Sequence, residues 1–159
     1  MRTKILALLL CFAIVQVSLA VAKDDGGYSV MYDGGSLPGL KAGKKLRVYI
    51  ESNEIRIMDG KTLVTTLVPS SVREISYGQD VHRRIGAAIG LAVVSLGIGA
   101  LMALTKSKKH YVGLTWAAGD VKGGFAMQCD KNDYRGVIAG LEGVTGQKAV
   151  NSDAMTVKN

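Results

Sequence analysis

The chain has 159 residues, with 20 Lys+Arg, 13 Asp+Glu, 2 Cys, 2 Pro and 20 Gly. That gives room for one ordinary domain besides any targeting or membrane segment. Two cysteines exclude a disulfide scaffold, the 48% hydrophobic content excludes a disordered chain, and the shortage of long apolar runs excludes a polytopic transporter.

Residues 1–22 read as a secretory signal. Arg2 and Lys4 precede a run at 5–17 interrupted only by Gln16, and Ala20-Val21-Ala22 offers an A-x-A cut before Lys23. Ser18-Leu19-Ala20 is a second cut, and an uncleaved anchor helix is the alternative. Cys11 follows Leu8-Leu9-Leu10 rather than a small residue, which argues against a lipoprotein box. Removal of Arg2 and Lys4 leaves 18 basic and 13 acidic residues, a net +5. It also leaves Cys129 alone, which reads as a buried strand residue.

Residues 23–84 read as the N-terminal β part of a domain. Tyr28 to Tyr32 alternate and end at Asp33-Gly34-Gly35. Loop residues follow to Gly43. Leu46, Val48 and Ile50 share one strand face, with Arg47 and Tyr49 on the other. Ser52-Asn53 turns the chain into a strand at 55–58, and Asp59-Gly60 turns it again into a β-branched strand at 62–68. Pro69-Ser70-Ser71 breaks that strand, and Val72, Ile75 and Tyr77 form another.

Residues 106–150 continue the domain. Strands are expected at 111–117 and 125–129, with 119–124 as the hairpin loop. Asp130 to Asp133 offer an N-cap, and Tyr134, Val137, Ile138, Leu141 and Val144 fall on one helical face stopped by Gly146. Residues 151–159 read as a polar tail. The expected class is α+β, mainly β. It is a small antiparallel curved sheet or barrel with one C-terminal amphipathic helix, interrupted by an apolar helical insert.

The 45–58 hairpin, the step from Leu67-Val68-Pro69 to Ile75-Ser76-Tyr77, the 111–129 hairpin and the 134–144 helix give a chain that resembles the PH-like superfold in its bacterial or GRAM-like form. The resemblance covers most of 28–146 apart from the insert. It implies a binding or scaffolding module, often at membranes. The basic pattern of phosphoinositide-binding members is not recognisable, and the resemblance carries over no ligand residues.

The insert at 85–105 has no charged residue. As a helix it would be ~31 Å long, matching a hydrocarbon core of about 30 Å. It reads as a transmembrane or re-entrant helix. Arg83 and Arg84 before it, and Lys106, Lys108 and Lys109 after it, suit lipid headgroups. Gly86 and Gly90, with Ser95 and Gly99, repeat a small-xxx-small spacing suited to helix–helix contact. A single span would place 23–84 and 106–159 on opposite sides of the bilayer, which one β domain cannot tolerate. Arg73, Arg83 and Arg84 balance Lys106, Lys108 and Lys109, so charge sets no orientation. Three arrangements stay open: a true span with two separate units, a hairpin dipping from one domain, or an insert packed on protein. Hydropathy favours the first and the fold pattern the others.

Catalysis finds little support. His82 and His110 flank the insert as interfacial residues and lack the further ligands a zinc ion wants. No H-E-x-x-H, C-x-x-C, G-x-S-x-G or P-loop occurs. No catalytic residue, metal or cofactor is expected. Lys41, Lys44 and Lys45 read as a solvated loop, with contact to anionic headgroups as the functional alternative. The expectation is an exported, membrane-associated, non-enzymatic binding or scaffolding protein at the inner membrane or periplasmic face of the cell envelope. Its partners would be membrane lipid and a protein or second copy, not nucleic acid. The alternative is a small self-associating membrane protein, an oligomer or permeability element built on the Gly-rich apolar helix.

Overall fold

The computed structural model describes residues 26–79, 81, 84–86 and 109–155. The strands are β1 (Tyr28–Gly35), β2 (Lys45–Ile50), β3 (Ile55–Asp59), β4 (Thr62–Leu67), β5 (Val72–Tyr77), β6 (His110–Ala118), β7 (Val121–Cys129) and β8 (Val150–Asn151). Helix α1 (Tyr134–Thr145) follows β7, and a 3-10 turn at Pro69–Ser71 joins β4 to β5. The strands form one open sheet in the order β4-β3-β2-β1-β7-β6-β5-β8. All neighbours are antiparallel except β5 and β8, so the sheet is mixed rather than purely antiparallel, and it does not close into a barrel.

Period-two alternation builds the core. Val30 and Tyr32, Leu46 and Val48, Ile55 and Ile57, Val112 and Leu114, and Phe125 and Met127 all point to one face and are buried together. Helix α1 seals that face with Val137 and Leu141, each worth about 1.5–3 kcal/mol of apolar burial. It stops at Gly146, whose φ of 69° is the left-handed conformation of a helix C-cap. Its start differs from expectation. Asp133 occupies the cap position without a side-chain cap bond. Asp130 supplies the turn instead, its Oδ1 accepting from the Asn132 N–H at 2.9 Å and its carbonyl from those of Asp133 and Tyr134.

Three further features depart from the sequence reading. The β6–β7 turn is only Gly119-Asp120, so Lys122, Gly123 and Gly124 are strand residues rather than loop. Trp116 lies opposite Gly123 and fills the space a side chain there would take. The described start of the C-terminal tail also joins the sheet, through β8. Ser152 donates to the Tyr77 carbonyl through its backbone N–H at 2.7 Å and its hydroxyl at 2.9 Å, and Asp153 accepts from the Gln79 N–H at 2.6 Å.

The third departure concerns the insert. Among the described residues no helix is long and apolar enough to cross a membrane. The single crossing expected over 85–105 is corrected by the sheet. Strands from both sides of the insert are interleaved in one sheet, so they cannot lie on opposite faces of a bilayer. The two ends of the insert also stand side by side. The Gly78 N–H donates to the Tyr111 carbonyl at 3.2 Å, and the Gln79 side chain donates to the Lys109 carbonyl at 2.7 Å. Val81 and Ile85 lie on the outer face of the sheet in a second, fully buried cluster with Tyr111 and Ala126. Gly113 and Gly124 make this possible, since a Cβ at either would meet Ile85 at 3.0 Å. Residues 87–105 lie outside the described residues.

Candidate functional site

One row of outward-facing residues crosses four strands. Register places Lys45 of β2 against Met31 of β1, Met31 against Gln128 of β7, and Gln128 against Tyr111 of β6. Lys45, Met31 and Gln128 of this row, together with Asp133 at the start of α1, line an open groove of about 580 Å³. Its charged lining is Lys45, Lys109, Lys131, Asp130 and Asp133, and His110 and Cys129 line it as well.

Strand pairing brings the last two together. His110 opens β6 directly opposite Cys129, the last residue of β7. The His110 ring stacks on Tyr134, the first residue of α1, with centroids 4.1 Å apart and planes 8° apart. Tyr134 in turn accepts from Arg135 Nε at 3.0 Å. The imidazole is thus fixed against the helix start.

The described charges outside the groove and inside it are engaged differently. Lys44, Arg56, Arg84 and Lys148 each pair with an acid. Lys45, Lys109, Lys131 and Asp133 form no ion pair with another described residue. Asp130 is held by its own turn. Among the described residues, the groove therefore presents three ammonium groups and two carboxylates that enter no ion pair. This pattern suits a ligand carrying charge of its own.

Cys129 is a poor nucleophile. Burial, and secondarily the negative charge of Asp133, push its thiol up to about 12. Burial, and secondarily Asp33, push the Tyr111 phenol to about 12 as well. A thiol shifted from about 9 to about 12 has roughly a thousandfold less thiolate at pH 8, so labelling of the native protein by an aromatic disulfide should be slower by that order than after unfolding. The sign for stability follows. The unfolded chain releases both protons first, so the denaturation midpoint should hold below pH 9 and fall as the pH rises toward 12. A midpoint that rises over that range would contradict the burial of these two groups. Among the described residues no group of three or more His, Cys, Asp or Glu could hold a metal ion.

Of the residues singled out from sequence, Lys109 lines this groove and Arg84 does not. Arg84 makes a two-pronged pair with Glu74, its Nε and a terminal nitrogen each donating at 2.8 Å to a different carboxylate oxygen. That pair raises the Arg84 pKa further and ties the start of the insert to β5. Gly86 is helical beside Ile85. Arg83, Lys106, Lys108, Gly90, Ser95, Gly99 and His82 lie outside the described residues. The convergence of Lys131 and Asp133 on Lys45 was not read from sequence; strand register is the signal that brings them together.

No protein-family model matches the chain, and no curated protein matches it.

Proposed function

We propose that the chain is an exported, non-enzymatic binding or scaffolding domain of PH-like type, held against the face of a membrane by its chargeless segment without crossing it. The neck carries this reading: an apolar stretch leaves and returns through adjacent backbone, at Gln79 and Lys109, from a domain whose core is complete without it. The PH-like part is supported by the antiparallel order β4-β3-β2-β1-β7-β6-β5, with the helix after β7 laid across β2, β5 and β6.

The test is fractionation of the full chain expressed in a bacterial host. The wild type should sediment with membranes and stay there through a high-salt wash, as expected for a chargeless segment seated in the bilayer. Leu96→Asp combined with Ile98→Asp should move most of the protein to the soluble fraction, since each charge placed in hydrocarbon costs about 2.5–3.5 kcal/mol. Wild-type protein that stays soluble throughout, or a double variant that sediments as fully as the wild type, would overturn the membrane reading.

A further inference from the structure

We infer that the groove between β1, β2, β7 and the start of α1 binds an amino-phosphate zwitterion, the chemistry of an ethanolamine-phosphate headgroup or of its free counterpart. This rests on the preceding reading only in treating the groove as a binding site rather than a reaction centre.

Both signs of charge are needed to reach this ligand. Lys45, Lys109 and Lys131 arrive from three separate points of the chain, line one groove and pair with no described acid. Ammonium groups left in this state suit phosphate oxygens, which accept several charge-assisted hydrogen bonds at once. A plain phosphate would also meet Asp133. That carboxylate lines the same groove, accepts no cap hydrogen bond from α1, and is close enough to Cys129 to raise its pKa. A ligand with an ammonium beside its phosphate turns this repulsion into a second contact. Asp130 lines the groove as well, and because its carboxylate accepts only the Asn132 N–H it adds a second negative charge for an ammonium to meet. A quaternary amine would have no N–H to donate, so a primary amine fits better. His110 lines the groove with its ring stacked on Tyr134, which holds the imidazole in place.

The experiment is amide NMR titration of the full chain in neutral detergent micelles. The soluble probes are O-phosphoethanolamine, inorganic phosphate, ethanolamine and phosphocholine. A parallel arm uses bicelles with ethanolamine headgroups against bicelles with choline headgroups. Saturable shifts at His110, Cys129, Lys131 and Asp133 are expected for the ethanolamine-phosphate compound, tighter than for any other probe. Lys45→Gln, Lys109→Gln and Lys131→Gln combined should weaken it at least about tenfold, the effect of losing charge-assisted bonds. Asp133→Asn should weaken the zwitterion, strengthen inorganic phosphate and so collapse the difference between them. Unchanged spectra elsewhere in the sheet establish that these surface variants stay folded.

Saturation by the soluble compound, by the ethanolamine bicelles, or by both supports the site, and the arm that saturates assigns the source. Saturation by neither overturns it. An Asp133→Asn protein that keeps the full preference for the zwitterion also overturns it. A protein that binds the soluble compound but fails the fractionation test loses the membrane reading and keeps the groove. One that sediments with membranes but shows no groove shifts does the reverse.

Discussion

Phe125→Ala should destabilise the domain by about 3–5 kcal/mol, the usual range when a buried aromatic ring is deleted from a core. Phe125 is completely buried on β7, the strand that joins β1 to β6 and so couples the two halves of the sheet. Its ring lies between Tyr32, with centroids 6.4 Å apart, and the edge of Trp116, at 6.2 Å. Removing it leaves a cavity that neither ring can fill without leaving its own strand. A domain of this size has about 5–15 kcal/mol in total, so the variant should unfold at a much lower urea concentration. Trp116 is the only tryptophan in the chain, and its emission reports the change directly. A loss under 1 kcal/mol would mean that the core does not centre on the β1–β7 seam.

Gly113→Val should have the next largest effect, by a different route. Gly113 sits on the outer face of β6, opposite Ser76 of β5 and Ala126 of β7. A Cβ there would collide with a Val81 methyl and stand 2.7 Å from the Ser76 hydroxyl and 3.0 Å from Ile85. The inner core is untouched, so the sheet should persist while the 81–86 stretch is pushed off it. Overpacking of this kind costs about 1–3 kcal/mol. Hydrogen exchange should therefore accelerate at Tyr111 and Ala126, the other members of the outer cluster, while Leu114 and Met127 stay protected. Adding Val81→Ala should recover part of the stability, because contacting residues are energetically coupled. If the pair is simply additive, Val81 does not rest on Gly113.

These two sites mark the boundary of what could be read from the chain. The inner face was legible because Leu46 and Val48, or Val112 and Leu114, recur at the spacing of a half-buried strand. The α1 face and its Gly146 stop were legible for the same reason at helical spacing. The outer face was not. Val81 and Ile85 are apolar whether they meet lipid or protein, and hydropathy cannot tell the two apart. Only pairing shows that Gly113 and Gly124 leave a flat seat for them. Gly123-Gly124 read as a turn because paired glycines usually make one; here Trp116 covers Gly123 and lets the strand continue. The groove was illegible for a related reason. Lys45 and Lys131 are 86 positions apart in the chain, and only the order of the strands makes them neighbours.

The closeness of Gln79 and Lys109 also bears on how such a chain is assembled over time. A detour of about thirty residues that starts and finishes at one point adds only about 2 kcal/mol of closure entropy over a tight four-residue turn. An ancestor or engineered relative lacking the detour would retain every strand, and would need only polar replacements for Tyr111 and Ala126 where Val81 and Ile85 once lay. Gaining or losing this appendage is thus a single splice, independent of the rest of the architecture.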